Sequence, residues 1–469
     1  MPTKPEVIFS KQKANRWNLA ATNAATRIAK LKLLEKNILT HEELLVDAIY
    51  QDFKKPAQEV EVTEIYPVLE EIRFAVKNLS VWMKPLPVPT PIPLFGSRSE
   101  VRYEPKGMVL IMSPWNYPFQ LLMSPLVAAV AAGNAVIARP SNKTAHTAKV
   151  IQQIIEATFP ENEVAAIICD SKVADQLLDL PFDHIFFTGS SRIGQKVMMS
   201  AVRHLGSVTL ELGGKSPCII DQDVDLDDVV PKLVWAKYLN AGQTCVAPDY
   251  VFVHANIAKQ FLAKVKERIQ FCFGETEEQQ LQSAHLAALI DEASFTRVQQ
   301  LTQASIQQGA ELITGLKNDK TQRMMAPTVL GQVKPTQAIM SEEIFGPVMP
   351  VLEYSDIQEV YNYVQAQPKP LALYVFSNSK NFTEQVINNT SAGGTVTNHA
   401  IIHLGNPHLP FGGVGFSGQG NYHGFYGFKT FSHERAVLHQ GDISFTTWLF
   451  PPYGKKAKRL MQFVRHFLM

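Results

Sequence analysis

The sequence has few cysteines, little net charge and no long apolar run. Four cysteines occur among 469 residues and none forms a Cys-x-x-Cys pair, which is typical of a reducing compartment and speaks against a zinc site. The formal net charge of +1 gives no reason to expect nucleic acid as a partner. No apolar run approaches the ~20 residues that span a bilayer. The N-terminal MPTKPEVIFSKQKANRW lacks the apolar core of a signal peptide, so we expect a cytoplasmic protein.

The remaining composition, 46% hydrophobic and 19% charged, is that of a globular protein. A chain of 469 residues is long for a single core, so two or three domains are expected. Apolar strand patterns at 108–112, 134–138, 164–169 and 184–187 alternate with helical patterns. This alternation predicts a parallel sheet with right-handed crossovers, the layout of a dinucleotide-binding domain.

The stretch from Thr209 to Asp249 combines a carboxylate with a thiol. Glu211 precedes two glycines, and Cys245 ends the run Gly-Gln-Thr-Cys, 245 − 211 = 34 positions later. A thiolate is a strong nucleophile, and a carboxylate beside it can activate water. A single cysteine is more often a small buried hydrophobe, and a single glutamate a surface residue. Only the full strings ELGGKSP and GQTC indicate catalysis.

Five further strings contain residue types suited to ligand binding. They are SPWNYP at 113–118, ARPSNKT at 138–144, FTGSSRIG at 187–194, SEEIFGPVMP at 341–350 and PFGG at 410–413. FTGSSRIG follows a strand and opens a helix, where free main-chain amides can bind a phosphate, although a plain turn is the alternative. His399, His403 and His408 have the spacing of metal ligands. They lie in a Gly/Pro-rich loop without a carboxylate cluster, so we expect no metal.

In this order the strings resemble the signature regions of the NAD(P)-dependent aldehyde dehydrogenase superfamily. The segments LELGGKSPC and GQTCVAPDY are most similar to its class 3, fatty-aldehyde-type branch, and the resemblance covers nearly the whole chain. It implies an α/β fold with a Rossmann-type cofactor domain, an α/β catalytic domain and a β oligomerisation arm. It also implies oxidation of an aldehyde, medium- or long-chain aliphatic or aromatic, to the carboxylic acid with NAD(P)⁺.

The resemblance implies a role for each of three catalytic residues. Cys245 is expected to attack the aldehyde and Asn116, with the Cys245 main-chain N–H, to stabilise the resulting alkoxide. Loss of hydride from this thiohemiacetal leaves a thioester, which water activated by Glu211 hydrolyses. An asparagine in a turn usually bonds the local backbone, and only the flanking Trp115 and Tyr117 within SPWNYP favour the catalytic role.

The resemblance also implies cofactor and substrate contacts. Glu343 is expected to bind the nicotinamide ribose, Phe345 to pack beside the ring, and Ser190 to lie near the pyrophosphate. The full expected cofactor set is Trp115, Arg139, Ser141, Asn142, Thr188, Gly189, Ser190, Gly194, Leu212, Gly213, Glu343 and Phe345. The expected pocket walls are Tyr117, Trp235, Thr244, Ile401, Ile402 and Phe411. Apolar walls favour fatty or aromatic aldehydes.

ARPSNKT departs from the KPSE string of most family members. Arg139 stands in place of the lysine and Asn142 in place of the glutamate. A glutamate near the ribose 2′ position repels a 2′-phosphate, whereas asparagine does not, and arginine can pair with a phosphate in a bidentate manner. We therefore expect both NAD and NADP to serve as the cofactor.

The chain divides into four expected parts. They are a dinucleotide-binding domain at 1–84 and 102–209, a catalytic domain at 210–426, an arm at 85–101 and 427–438 that forms a homodimer, and a tail at 439–469. Residues 428–437 resemble the final strand of the arm. Residues 455–469 predict a basic amphipathic helix whose apolar face holds Leu460, Phe463, Val464, Phe467 and Leu468. It is expected to lie on an anionic membrane or to pack on the partner subunit near the substrate entrance.

Three alternatives stay open. A CoA-acylating or reductive relative is disfavoured because such relatives need no water-activating glutamate, and Glu211 is present. A coniferyl-type aromatic aldehyde dehydrogenase would share the mechanism and differ in substrate. A non-enzymatic protein on the same fold is disfavoured by the intact set of Cys245, Glu211 and Asn116.

Overall fold

Helices and strands alternate along most of the chain in the computed structural model, which describes residues 4–443 and 446–467. The α-helices of this described part are α1 Pro5–Ala20, α2 Ala24–Thr40, α3 Glu42–Phe53, α4 Ala57–Val60, α5 Tyr66–Trp82, α6 Gln120–Ala132, α7 Ala145–Thr158, α8 Ser171–Leu178, α9 Ser191–Val202, α10 Leu226–Tyr238, α11 Ala258–Phe273, α12 Glu277–Leu281, α13 Glu292–Gln307, α14 Ile357–Ala366, α15 Lys380–Asn389, α16 Gly424–Thr430 and α17 Lys455–Phe467. A π-helical turn, Glu61–Ile65, joins α4 to α5.

The strands are β1 Leu86–Val88, β2 Ser97–Pro105, β3 Met108–Met112, β4 Ala135–Arg139, β5 Val164–Ala166, β6 His184–Gly189, β7 Ser207–Leu212, β8 Pro217–Ile220, β9 Tyr250–His254, β10 Glu311–Thr314, β11 Asn318–Asp319, β12 Met324–Met325, β13 Thr328–Gly331, β14 Val348–Tyr354, β15 Ala372–Phe376, β16 Gly394–Thr397, β17 Gly418–Gln419 and β18 Ser432–Gln440. They form two large sheets, one three-stranded sheet and the short pair β11–β12.

A six-stranded sheet has the order β17-β7-β6-β3-β4-β5. The strands from β7 to β5 are parallel neighbours, and only β17 runs antiparallel. Strand β3, with the sequence MVLIM, is buried at every position because helices cover both faces of a parallel sheet. The predicted parallel sheet with helical crossovers is confirmed.

A seven-stranded sheet has the order β10-β13-β14-β9-β8-β15-β16, and only β10 runs antiparallel to its neighbour. It uses strands between residues 217 and 397, so the α/β architecture expected for the second half of the chain is confirmed. Strand β7 spans the expected domain boundary at 209/210, and β17 returns from the later segment to pair with β7. The two sheets are therefore connected more than once.

The three-stranded antiparallel sheet β1-β2-β18 holds the segments expected to form the arm. Its long pair runs from Ser432 opposite Pro105 to Gln440 opposite Ser97. The predicted strand at 428–437 is wrong in its first part, because residues 424–430 form helix α16. Phe425 and Phe428 lie one helical turn apart there, and both rings pack on Trp82 at 5.6 and 5.4 Å.

The tail ends in helix α17, Lys455–Phe467, where the sequence predicts one. On the predicted apolar face Leu460 and Val464 are half-buried, whereas Phe463 is 50% exposed. Met461 is also 44% exposed. Leu468, which the prediction includes, lies outside the described residues, and so does the side chain of Phe467. Among the described helices none is both long enough and apolar enough to span a membrane.

Candidate active site

Four predicted site residues stand at the carboxyl ends of adjacent parallel strands. Asn116 follows β3, and Arg139 ends β4. Thr188 is the penultimate residue of β6, and Glu211 is the penultimate residue of β7. Ligands of open α/β sheets bind in the crevice outside these strand ends. The topology therefore brings residues from four separate strings to one edge of the sheet.

The turn before Cys245 is held in a strained conformation. Asn240 and Ala241 have φ of 53° and 52°, and Gly242 has φ of 73°. This left-handed region is uncommon for residues other than glycine. A Cβ on Gly242 would lie 2.3 Å from the carbonyl oxygen of Gly346. Only glycine fits there, so residues 240–245, called the nucleophile turn after the role predicted for Cys245, pack directly on the loop that holds Glu343 and Phe345.

Hydrogen bonds join the nucleophile turn to the SPWNYP loop. The Asn116 side chain donates to the Gln243 carbonyl at 3.0 Å, and the Asn240 side chain donates to the Asn116 carbonyl at 2.9 Å. The hydroxyls of Tyr117 and Thr244 are 2.6 Å apart. The structure thus brings together two predicted pocket residues and the predicted oxyanion residue. The Asn116 amide has a second N–H for an oxyanion.

Burial and neighbouring carboxylates keep the thiol protonated. Burial, followed by the charges of Glu343 and Glu211, raises the pKa of Cys245 to about 12. Burial also raises the pKa of Glu211 well above its ordinary range. Neither carboxyl oxygen of Glu211 has a hydrogen-bond partner in the described part of the chain. A buried carboxyl of this kind is neutral at rest and a strong base once it loses its proton.

Glu343 contacts both glycines after Leu212 and requires a glycine at position 213. Its Oε1 accepts the Gly214 N–H at 3.2 Å, and a Cβ on Gly213 would lie 2.3 Å from its Oε2. Burial, and then the charge of Asp249, raises the pKa of Glu343 to about 8. The strings ELGGKSP and SEEIFGP, which lie far apart in the sequence, therefore meet in space.

Unpartnered polar atoms mark the same strand ends as a ligand site. Ser113 Oγ, Arg139 Nε and Thr188 Oγ1 are buried and lack hydrogen-bond partners within residues 4–443 and 446–467. They follow or end β3, β4 and β6, which are adjacent in the sheet. Buried polar groups are rarely left unpaired in native proteins. These atoms suit a polar ligand such as a dinucleotide.

Helix α9 begins beside these atoms. Ser190 is its N-cap and makes no side-chain capping bond, so first-turn amides face outward for a phosphate. A Cβ on Gly194 would lie 2.8 Å from Leu212 Cδ2, so glycine lets α9 approach β7 closely. At Gly189 a Cβ would lie 2.5 Å from the Phe187 ring. The residues present therefore fit a nicotinamide dinucleotide.

The remaining expected cofactor residues lie on both sides of the crevice. The rings of Trp115 and Phe345 are 5.5 Å apart with an edge-to-face geometry. Arg139 donates to the side chain of Asn142 at 3.2 Å, and Asn142 itself is exposed. The buried Ser141 accepts the Lys143 N–H at 3.3 Å.

The expected pocket walls divide into buried and exposed residues. Phe411 and Ile401 are buried, as are Tyr117 and Thr244. Trp235 is 42% exposed and Ile402 52% exposed, so both lie at the surface. The Trp235 ring is 6.1 Å from the ring of His399.

Several residues near the site were not predicted to belong to it, and His403 had been considered only as a metal ligand. His403 and His423 flank the Phe411 ring at 6.0 and 5.5 Å, and ring nitrogens of both are buried without partners in the described chain. The buried ion pair of Lys55 with Glu64 and the half-buried Glu59 were also missed. The i, i+4 spacing of Val60 and Glu64 was their only signal. The described residues contain no group of three or more His, Cys, Asp or Glu that could hold a metal.

Comparisons with known proteins agree with this geometry. The model of the family described as "Aldehyde dehydrogenase family" matches residues 6–437. The 4,4'-diaponeurosporen-aldehyde dehydrogenase of Staphylococcus aureus is 39% identical over 94% of this chain and 95% of its own. Human aldehyde dehydrogenase family 3 member B1 is 38% identical over 93% of this chain and 92% of its own. A solved structure, the substrate-bound state of Staphylococcus aureus AldH, superposes with a TM-score of 0.94 and 38% identity over 98% of this chain and 99% of that one.

The fold and the family match define an oxidoreductase. The chain belongs to the aldehyde dehydrogenase family, and it oxidises aldehydes. The family and the activity predicted from the sequence are confirmed. The roles of individual site residues stay predictions.

Gly242 provides a test of the nucleophile turn. We expect Gly242→Ala to lower kcat/KM for an aldehyde at least about tenfold, because a shift of the turn displaces the thiol. Gly309→Ala is the matched control, since Gly309 also has positive φ (99°) but nothing lies within 4 Å of its Cβ position. It should cost only about 1–2 kcal/mol of stability. Steady-state kinetics and thermal unfolding of both variants measure this, and a fully active Gly242→Ala would contradict it.

Proposed function

We propose that Cys245 is the nucleophile, Glu211 the base and Asn116 the oxyanion donor of this aldehyde dehydrogenase. The observation that carries the proposal is the hydrogen-bonded pairing of the 116–117 loop with the 243–244 turn, beside a buried carboxyl without a partner. A CoA-acylating activity is not favoured, because neither carboxyl oxygen of Glu211 has a hydrogen-bond partner, within the part of the chain that the structure describes, that would otherwise explain a buried carboxyl there.

The proposed reaction uses each group once. The Cys245 thiol first releases its proton to solvent. The thiolate sulfur then attacks the carbonyl carbon, the C=O bond becomes a C–O⁻ bond, and the Asn116 amide and the Cys245 N–H stabilise the oxyanion of the thiohemiacetal. Both donors are neutral, so the oxyanion keeps enough electron density to expel hydride from the same carbon. When bound, the nicotinamide cofactor supplies the hydride acceptor. Glu211 then takes a proton from water, the water attacks the thioester, and the acid leaves as Cys245 regains its proton.

Glu211→Gln separates the two halves of this reaction. We expect the variant to form about one equivalent of reduced cofactor per site in a burst and then to turn over at least about a hundredfold more slowly, because acylation does not need the base. Stopped-flow absorbance of the reduced cofactor measures both phases. Normal steady-state turnover of Glu211→Gln would rule out its role as the base.

We propose that the enzyme uses both NAD and NADP. The support is the pairing of Arg139 with the neutral Asn142 at 3.2 Å, with no ion pair from Arg139 to a carboxylate among the described residues. Arg139 Nε has no partner there either. A cationic guanidinium beside a neutral amide suits a 2′-phosphate.

A charge at position 142 tests the cofactor proposal. We expect Asn142→Glu to lower kcat/KM for NADP about tenfold to a hundredfold relative to NAD, through repulsion of the 2′-phosphate. Asn142→Gln, whose side chain has the length of glutamate but no charge, should leave the ratio of kcat/KM for NADP to that for NAD within about threefold of wild type. Initial rates with both cofactors measure it. A wild-type enzyme about a thousandfold poorer with NADP would contradict dual use.

We propose medium- or long-chain aliphatic or aromatic aldehydes as substrates. The inner walls Phe411 and Ile401 are apolar, and the outer candidates Trp235 and Ile402 expose apolar surface. The diaponeurosporen-aldehyde relative bears the name of an aldehyde substrate, and its similarity extends over 94% of this chain.

We further propose the four-part division of the chain and a homodimer built on the sheet β1-β2-β18. Strand β1 is exposed at each position, and most of β18 is exposed as well. An exposed sheet edge is normally covered by another chain or protected by charge. The partition follows the segments 1–84 with 102–209, 210–426, 85–101 with 427–438, and 439–469.

For the tail we propose that α17 lies on an anionic membrane surface, with packing at the substrate entrance as the alternative. Its exposed apolar residues, Met461 and Phe463, accompany the basic residues Lys455, Lys458, Arg459 and Arg465. Apolar burial and charge attraction together bind such helices to membranes. On this reading the cytoplasmic enzyme would contact the membrane peripherally.

Shortening the chain to residues 1–453 distinguishes the two roles. Membrane binding predicts that the full chain pellets with phosphatidylserine vesicles at least about fivefold more than the short chain, with the same chain-length profile of kcat/KM from C4 to C16 aldehydes. Packing at the entrance predicts equal pelleting and an altered profile. Co-sedimentation and reduced-cofactor rates measure this. Thermal unfolding of both forms controls for loss of fold.

A further inference from the structure

A cluster of three charged residues, two of them fully buried and the third half-buried, lies behind the nucleophile turn. Lys55 and Glu64 are fully buried and form an ion pair at 2.9 Å. The Lys55 ammonium also lies 3.8 Å from the centre of the Tyr117 ring. Glu59, on the short helix α4, completes the cluster, and the charge of Lys55 acts on it. Buried ionic groups cost desolvation free energy, so such a cluster calls for a reason.

The carboxylates of this cluster bind the two loops that form the site. Glu59 Oε2 accepts the main-chain N–H of Asn240 at 2.9 Å, within the left-handed turn that leads to Cys245. Glu64 Oε2 accepts the N–H groups of Phe119 and Gln120 at 3.1 and 2.9 Å, directly after the SPWNYP loop. Lys55 thus connects both anchoring points.

The chain of contacts from Glu59 to the reacting groups is short. Asn240, whose amide Glu59 accepts, donates its side chain to the Asn116 carbonyl at 2.9 Å. Asn116 in turn donates to the Gln243 carbonyl at 3.0 Å. A shift of Asn240 would therefore move the proposed oxyanion amide and the thiol relative to each other. Asn240 and Ala241 have positive φ without being glycine, so the turn needs an external restraint.

We propose that Glu59, supported by Lys55 and Glu64, is a positioning residue for attack on the aldehyde: by accepting the Asn240 N–H it holds Cys245 and Asn116 in register. The inference rests on the proposed roles of Cys245 and Asn116. Glu59 touches neither substrate nor cofactor, and it acts through Asn240. The carboxylate sits on α4 just before the π-helical turn Glu61–Ile65, and π-helical turns often occur at functional sites.

Hydrogen-bond acceptance, rather than charge, is the property that the role requires. Burial raises the pKa of Glu59 to about 7, so the group is readily neutral. Glutamine keeps the length of the side chain and an oxygen acceptor, whereas leucine keeps similar bulk and removes the acceptor. Aspartate keeps the charge but is shorter by one methylene. These three replacements separate reach, acceptance and charge.

The test is a burst experiment on the full-length Glu211→Gln enzyme, in which acylation is observed without deacylation. Adding Glu59→Leu should lower the burst rate constant per titrated site roughly tenfold to a hundredfold, with the cofactor Kd within about twofold. Adding Glu59→Gln should leave the rate constant within about threefold. Glu59→Asp should resemble leucine, and it serves as the second variant if the leucine chain does not fold.

A purely structural role predicts a different pattern. It would lower the unfolding temperature and the burst amplitude but leave the rate constant per site unchanged. The control is Asp183→Leu, which removes a carboxylate that accepts the Met108 N–H at 2.7 Å at the opposite end of the same sheet. It should change stability without changing the rate constant.

Two results would overturn the inference: Glu59→Leu and Glu59→Asp with unchanged rate constants, or Glu59→Gln as slow as Glu59→Leu. Failure of the proposed function gives a separate signature, because Glu211→Gln alone would then show no burst with any aldehyde. A normal burst in Glu211→Gln combined with insensitivity to Glu59 would refute only the positioning role.

Discussion

The close approach of Gly242 to the carbonyl oxygen of Gly346 constrains the rest of the site. A Cβ at position 242 would lie only 2.3 Å from this oxygen, so no side chain fits there and the nucleophile turn is fixed against the loop before β14. Asn240 in the same turn donates its side chain to Asn116, in the loop after β3. One strained turn therefore sets the distance between groups from the two large sheets. The relative position of the proposed reacting groups therefore depends on the relative position of the two sheets.

Some buried polar groups at the strand ends have no hydrogen-bond partner in the described chain. Ser113, Arg139 and Thr188 each have a buried polar atom without a partner in the described chain. Such groups lower stability in the free protein and recover it when a ligand supplies the missing partners. Ligand binding to the folded state alone must then raise the unfolding free energy. The polar edge of the six-stranded sheet thus couples the affinity for a bound ligand to the stability of the fold. The buried interior of the sheet, for example the MVLIM strand β3, keeps this edge rigid.

The sequence predicted most of the fold because parallel strands buried on both faces leave continuous apolar runs, and the ELGGKSP and GQTC strings identified the family. The helix at 424–430 was missed, since the aromatic stretch GFYGFK suits a strand until Trp82 packs on one side of it. Lys55, Glu59 and Glu64 were missed for a related reason. Charged residues in a helical pattern indicate a solvated face, and only the tertiary structure buries Lys55 and Glu64 and half-buries Glu59. Likewise nothing in Asn240-Ala241 marks a left-handed turn.

Around the Cys245 thiol the structure favours the protonated, neutral forms of the acidic side chains. Burial raises the pKa of Glu59 to about 7 and of Glu343 to about 8, and it raises the pKa of Glu211 well above its ordinary range. The same environment raises the pKa of Cys245 to about 12. Like charges at short range in a medium of low polarisability cannot all ionise, so the resting site holds a neutral thiol and a neutral Glu211 carboxyl, the proposed base. Activation therefore has to include the departure of a proton from this cluster. A bound cation or a rearranged carboxylate would favour the thiolate directly, because each change removes negative potential from the sulfur.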